Sequence, residues 1–208
     1  MYYKFIKFIG GNFGNPKGIV GSLMTLIMNV MNQKLYKTIL KSIKSELNKN
    51  LLDIGFGNGY LIKKLLKDNN GINIYGIEIS NDMFKKVQLK NRNSIKDGKL
   101  KLLLENIEET SFENNMFDII ITINTIYFWN DYKKCFTEIK RILKHNGKFF
   151  NTVYTKEYLD KIIYTKYGFR KNKIEEIKLL TEKNGMKIIE TIEIEKGKSY
   201  CIISEKIN

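Results

Sequence analysis

Short apolar runs separated by amphipathic stretches fill most of the chain. Runs of strand length occur at Asn50–Ile54, Asn73–Ile79, Lys99–Leu104, Asp118–Ile123, Lys148–Tyr154, Lys187–Glu195 and Ser199–Ser204. The last two flank Lys196-Gly197-Lys198 and predict a hairpin. Because strands and helical stretches alternate before that hairpin, the pattern predicts an open α/β sheet.

The N-terminal part of the chain has helical periodicity instead. Apolar residues recur there at three- and four-residue steps up to about Leu47, which predicts one helix with a single apolar stripe: Val20, Leu23, Met24, Ile27, Met31, Leu35, Ile39 and Ile43. The preceding Gly10–Gly18 is rich in glycine and predicts a loop that can move. Its apolar start, Ile19–Val30, is shorter than the roughly 20 residues that span a bilayer, and no small-residue cleavage site follows it.

A glycine-rich loop follows the first predicted strand and precedes a helix that starts near Tyr60. The segment reads Asp53-Ile54-Gly55-Phe56-Gly57-Asn58-Gly59, and such a loop is where an open α/β sheet holds a nucleotide-like cofactor. A dinucleotide loop would place its third glycine three residues after the second, whereas Gly59 follows Gly57 by two. Asp53 would repel a pyrophosphate but can accept a hydrogen bond relayed from an ammonium group. The loop therefore favours a cofactor with an amino-acid tail.

This D-x-G-x-G-x-G pattern resembles motif I of the class I methyltransferases that use S-adenosylmethionine (SAM). The similar branch is methyltransferase type 11, which includes ubiquinone/menaquinone C-methyltransferases, and the match runs from about Leu51 to Val153. Glu78, at the end of the second predicted strand, matches the acid that accepts the ribose hydroxyls. Asn106-Ile107-Glu108-Glu109-Thr110-Ser111-Phe112 is similar to D-A-E-E-L-P-F, with Asn106 for the aspartate that faces the adenine. His145-Asn146 replaces the proline-glycine pair of the family's L-K-P-G-G turn.

The resemblance implies a single Rossmann-like domain with a seven-stranded, mainly parallel sheet, an antiparallel last strand and helices on both faces. It divides the chain into an N-terminal loop and helical lid (residues 1–48) and a SAM-binding core (residues 49–208). It also assigns the cofactor-binding residues Asp53, Gly55, Phe56, Gly57, Gly59, Glu78, Ile79, Asn106, Ile107 and Asn124. No metal is expected.

Candidate acceptor residues follow the fourth predicted strand, because ligands lie beyond the carboxyl ends of strands in such sheets. Tyr127 and Asn124 are the candidates; Phe128 and Trp129 either line the pocket or cap the core. Asn124 and Tyr127 form an N-x-x-Y tetrad without the two prolines of N-P-P-Y. Those prolines hold the loop that grips a nucleobase or glutamine amine, so their absence argues against that chemistry. Further pocket candidates are Tyr154 and Tyr158, whereas His145 is expected to face solvent.

Composition restricts the remaining possibilities. The net charge of +14 suits a polyanion, yet the lysines are scattered along helices, so a nucleic-acid partner is disfavoured without being excluded. Two cysteines, Cys135 and Cys201, and a single histidine provide neither a disulfide framework nor a zinc site. They are typical of a reduced cytoplasm.

The resulting hypothesis is a cytoplasmic SAM-dependent methyltransferase that acts on an N, O, S or C atom of a small molecule. The alternatives are an RNA or protein methyltransferase and a non-catalytic SAM-binding partner subunit. A nicotinamide-dependent oxidoreductase would need the other glycine spacing. The protein is expected to be a monomer or a homodimer, and peripheral membrane contact through the N-terminal stripe stays open.

Overall fold

The computed structural model describes residues 10–11, 13–44, 48–68 and 71–207. Its seven strands are β1 (Asn50–Ile54), β2 (Asn73–Ile77), β3 (Leu100–Leu103), β4 (Phe117–Ile123), β5 (Leu143–Tyr154), β6 (Met186–Glu195) and β7 (Ser199–Lys206). They form one sheet in the order β3-β2-β1-β4-β5-β7-β6. Strands β1 to β5 pair in parallel, and β7 is antiparallel to both β5 and β6. The predicted α/β sheet, its terminal hairpin and its antiparallel last strand are confirmed.

Helices cover both faces of this sheet because neighbouring strand residues point to opposite sides. Leu52 and Ile120 belong to one apolar core, and Leu51 and Ile121 belong to the other. The helices are α1 (Gly18–Met31), α2 (Gln33–Ser42), α3 (Tyr60–Asp68), α4 (Asn81–Lys90), α5 (Arg92–Lys96), α6 (Tyr132–Ile142), α7 (Lys156–Leu159) and α8 (Ile174–Lys183). No helix in the described part of the chain is long and apolar enough to cross a membrane.

Strand β5 begins earlier than its sequence predicts. Phe117 pairs with Leu143 but Ile119 pairs with Lys148, so the intervening residues bulge out of the ladder. Asn146 lies in this bulge with a φ of 62°, a left-handed conformation that asparagine tolerates. The turn expected at His145-Asn146 is therefore a bulge within β5. His145 is exposed, as the sequence predicted.

The N-terminal region differs most from its sequence pattern. The continuous helix was a wrong prediction, because the chain breaks at Asn32 between α1 and α2. The apolar stripe is buried on α2, at Leu35 and Ile39, whereas several of its α1 members are exposed. Residues 10–11 and 13–14 are helical, which corrects the loop expected across Gly10–Gly18. Leu47 and Asn12 lie outside the described residues.

Candidate active site

The glycine loop after β1 is built from three left-handed residues with separate roles. Gly55, Gly57 and Gly59 have φ values of 71°, 54° and 75°. A Cβ on Gly55 would lie 2.6 Å from Thr125, and one on Gly59 would lie 2.8 Å from Val87 of α4. A Cβ on Gly57 would meet nothing within 4 Å. Gly55 and Gly59 thus permit close packing, while Gly57 borders open space.

Glu78 joins this loop to the end of β2. Its Oε2 accepts a hydrogen bond from the Gly57 N–H at 2.8 Å, and its Oε1 accepts from the Ile79 and Ser80 N–H groups, each at 2.9 Å. Burial raises the pKa of Glu78, and the three N–H donors oppose this by favouring the carboxylate. Each carboxylate oxygen has two lone pairs, so Oε2 can still accept a hydroxyl group.

Asp53 is the second buried acid of the site. Burial, together with the nearby charge of Glu78, raises the pKa of Asp53 to about 7. It lines a small niche with Asn32, Tyr36 and the loop residue Gly57. A cationic ligand group in this niche would favour the ionised form of Asp53, whereas a pyrophosphate would be repelled.

A first cavity of about 810 Å³, its open mouth included, lies beyond the carboxyl ends of β1, β2 and β4. Most of the predicted cofactor residues line it: Gly55, Gly57, Glu78, Ile79, Asn106, Ile107 and Asn124. Asp53 and Phe56 line the adjoining niche, and Gly59 lines neither space. Two side chains have structural contacts: the Phe56 ring packs beneath Gly76, and Asn106 Oδ1 accepts from the Glu108 N–H at 3.1 Å.

The wall of the first cavity also contains residues that the motifs did not indicate. They are Phe13, Gly14, Pro16, Thr25, Met28, Glu105, Thr125 and Asn130. Three further residues of this wall lie in segments that the sequence did indicate: Glu108 of the third motif, and Phe128 and Trp129 after the fourth strand. The motif comparison starts at Leu51 and could not reach the N-terminal members of this set. Their only sequence signal was their place in the glycine-rich segment Gly10–Gly18 or in the helix predicted after it.

Helix α1 lies across the site and is held at both ends. Near its start, Ser80 Oγ donates to the Pro16 carbonyl at 2.6 Å, and the Gly18 N–H donates to Asp82 at 2.7 Å. At its end, Asn124 Nδ2 donates to Asn32 Oδ1 at 3.1 Å. These bonds connect α1 to the loop that follows β2, to the first turn of α4 and to the loop that follows β4.

Tyr127, the predicted acceptor-side residue, is buried in a hydrogen-bond network. Its hydroxyl accepts from the Tyr154 N–H at 2.6 Å and donates to Asn124 Oδ1 at 3.1 Å. The Tyr154 hydroxyl donates to the Met31 carbonyl at 2.9 Å. Burial raises the pKa of Tyr127 well above its ordinary value, so its phenol stays protonated. Tyr127 thus positions neighbouring groups and does not act as a base near neutral pH.

A second cavity of about 930 Å³, its open mouth included, adjoins the first one. It is lined by Phe13, Met24, Ile27, Met28, Met31, Asn32, Asn124, Tyr127, Phe128, Tyr154, Leu159, Ile162, Tyr164, Thr165 and Phe169. None of these residues carries a charge at neutral pH. Phe13, Met28, Asn124 and Phe128 line both cavities. Tyr154 is thus at a cavity wall, whereas Tyr158 does not line the cavity and packs against Tyr154, with ring centres 4.9 Å apart and the rings tilted by 41°.

Comparisons with known proteins agree with this geometry. Residues 52–151 match the Methyltransferase domain family. The uncharacterized methyltransferase YdaC of Bacillus subtilis is 28% identical over 131 residues, which are 63% of this chain and 70% of that protein. The ubiquinone/menaquinone biosynthesis C-methyltransferase UbiE of Rickettsia prowazekii is 29% identical over 153 residues, 71% of this chain and 62% of UbiE.

Solved structures show the same fold. A SAM-dependent methyltransferase from Aquifex aeolicus superposes with a TM-score of 0.75 at 19% identity, over 89% of this chain and 98% of that one. The Rossmann-like sheet, the glycine loop, the acid after β2 and the sequence matches together identify the chain as a class I SAM-dependent methyltransferase. Its cofactor is SAM, as the motif resemblance implies.

Proposed function

We propose that the acceptor of the methyl group is a small, largely apolar molecule that binds in the second cavity while SAM occupies the first. One observation carries this proposal: the two cavities share the wall formed by Phe13, Met28, Asn124 and Phe128. A ligand in either cavity therefore lies beside a ligand in the other. Such placement is the main contribution an enzyme makes to a reaction between two bound molecules.

The residues of the first cavity and its niche fit SAM in chemical character. Open space beside Gly57 leaves room for the amino-acid tail. Asp53 lines the same niche as Gly57 and would accept a hydrogen bond relayed from the ammonium group of that tail. Glu78 Oε2 retains a lone pair for a ribose hydroxyl, and Asn106 with Ile107 would border the adenine. When bound, SAM supplies an electrophilic methyl group on a sulfonium.

The second cavity contributes orientation and exclusion of water. Its polar side chains are Asn32, Asn124, Tyr127, Tyr154, Tyr164 and Thr165, and none of them is a carboxylate, a histidine or a lysine. The acceptor atom must therefore be nucleophilic already, and any proton it loses passes to water. We assign residues 1–48 to a lid and substrate region and residues 49–208 to the core, because the described part of the first segment lines both cavities.

The experiment combines binding and turnover. Calorimetry with S-adenosylhomocysteine (SAH), with NADH as the negative control, tests the first cavity. Turnover is then measured as SAH released from SAM in the presence of a panel of small aromatic thiols, amines and phenols. Met31→Trp should fill the second cavity and abolish turnover while SAH binding is kept. The matched control is Val30→Trp, the neighbouring exposed position, which should resemble the wild type.

Two results would overturn the proposal. Equal turnover by Met31→Trp and the wild type would remove the acceptor from the second cavity. Methylation of transfer RNA or of a protein fraction, with none of the small molecules accepted, would establish a macromolecular acceptor. Absence of SAH binding would instead show that the first cavity has been assigned wrongly.

A further inference from the structure

Helix α1 is apolar on its outer face as well as its inner face. Its sequence, GIVGSLMTLIMNVM, contains no charged residue. Gly21, Met24 and Thr25 are buried on the inner side, whereas Val20, Leu23, Leu26, Ile27 and Val30 are 41–73% exposed. A surface helix ordinarily carries polar residues on its outer side, and exposed apolar groups that adjoin one another mark an interaction site.

A second apolar segment continues this face. Ile163 and Tyr164 are 48% and 36% exposed on a short 3₁₀ turn, Ile163–Lys166. Ile27 of α1 and Tyr164 both line the second cavity. The two segments therefore border the same cavity with exposed apolar residues. We call Val20, Leu23, Leu26, Ile27, Val30, Ile163 and Tyr164 the rim patch.

The charges that flank the Ile163–Lys166 side of the rim patch are basic. Lys161 and Lys166 are exposed on either side of Ile163 and Tyr164, and no acidic residue occurs between positions 161 and 173. The preceding acid, Asp160, is paired with Lys156 and Lys171. The whole chain carries a net charge of +14. An anionic bilayer surface attracts lysines and takes up apolar and tyrosine side chains, so the chemistry of the rim patch is complementary to it.

We propose that the rim patch docks on an anionic lipid surface, with α1 lying in the plane of the membrane interface. At 1.5 Å per residue α1 is about 21 Å long, shorter than a hydrocarbon core of about 30 Å. A second copy of the chain fits this face less well, because it would bring Lys161 and Lys166 of both copies together. Docking would open the second cavity toward lipid, a consequence that rests on the proposed function. Membrane binding itself does not depend on methyl transfer.

The test is sedimentation with phosphatidylcholine vesicles that either contain or lack phosphatidylglycerol. The wild type should bind the anionic vesicles. The double variant Leu23→Gln/Leu26→Gln should bind them at least tenfold more weakly, because both side chains lose burial in the interface. The matched control Leu89→Gln/Leu179→Gln, at exposed leucines on α4 and α8, should bind as the wild type does. Lys161→Gln and Lys166→Gln should each weaken binding about fivefold at low salt.

The outcomes separate the possible partners of the rim patch. Unchanged SAH affinity in every variant shows that the fold is intact. Absence of vesicle binding would overturn the proposal, and so would binding that the leucine pair does not affect, since it would reflect charge alone. Analytical ultracentrifugation tests the remaining case, in which the wild type is a dimer. If that dimer dissociates in Leu23→Gln/Leu26→Gln and the wild type does not bind vesicles, the rim patch binds a second copy of the chain.

Discussion

At the scale of single residues, Gly57 and Gly59 form a natural comparison. Both have positive φ, so an alanine at either position costs about 1–2 kcal/mol of folding free energy. Gly57→Ala points its methyl group into open space and should abolish SAH binding with only that loss of stability. Gly59→Ala also meets Val87 and should destabilise more, with part of the loss restored by Val87→Ala. Chemical denaturation and SAH calorimetry on Gly57→Ala, Gly59→Ala and Gly59→Ala/Val87→Ala test this. Normal SAH affinity in Gly57→Ala would contradict the loop assignment.

Asp53 gives the site a pH dependence whose sign follows from burial. The pKa of Asp53 is raised to about 7, so between about pH 4 and pH 7 the folded chain holds a proton that the unfolded chain has lost. Stability should therefore fall as pH rises through this window and level off above it. Asp53→Asn should be the more stable protein at pH 8, by a few kcal/mol at most, and the difference should vanish near pH 4. Denaturant unfolding at several pH values measures it.

The same carboxyl group should affect ligand binding in the opposite direction. A cationic tail binds the ionised form of Asp53, so SAH affinity should rise with pH up to about 7. Calorimetry near pH 6.5 in two buffers of different ionisation enthalpy should detect a released proton. Asp53→Asn should bind SAH more weakly and should release no proton on binding. An affinity that is flat across this pH range would mean that Asp53 does not interact with the tail.

At the scale of helices and strands, the sequence predicted an element correctly wherever a local pattern of apolar residues defines it. The span of β1 was predicted to the residue, and the other strands of the sheet were all found. The break at Asn32 was not predicted; it coincides with a hydrogen bond from Asn124, 92 positions away, which no local pattern shows. The bulge in β5 likewise becomes visible only in the pairing of Leu143 with Phe117 on the neighbouring strand. Motif order brought Glu78 and the glycine loop together correctly. The second cavity instead combines the Asn124–Tyr127 tetrad with parts of α1 and of residues 159–169 that carry no motif.

The contact between Asn32 and Asn124 should hold the end of α1 in place. Asn32→Ala leaves Asn124 Nδ2 buried without that acceptor and should cost about 1–3 kcal/mol of folding free energy. Hydrogen exchange should accelerate in α1 and stay unchanged in β1 and β4. Asn32→Ala/Asn124→Ala should lose less than the sum of the single variants. Asn93→Ala, at an exposed position, should be neutral. Strict additivity would show that the contact contributes nothing.

At the scale of the whole molecule, cofactor binding should change the core and the N-terminal region together. Helix α1 is bonded to the loops after β2 and β4, and those loops, like α1, line the first cavity. SAH should therefore slow hydrogen exchange in α1 as well as around Gly57 and Asn106, while the hairpin of β6 and β7 exchanges as before. Trp129, the single tryptophan, lines the same cavity, so its emission should change over the same SAH concentrations. Protection confined to the core would mean that α1 is a fixed wall, and the lid assignment of residues 1–48 would fail. Protection that reaches α1 but is absent in Asn32→Ala would instead identify the Asn32–Asn124 bond as the link through which the cofactor orders the lid.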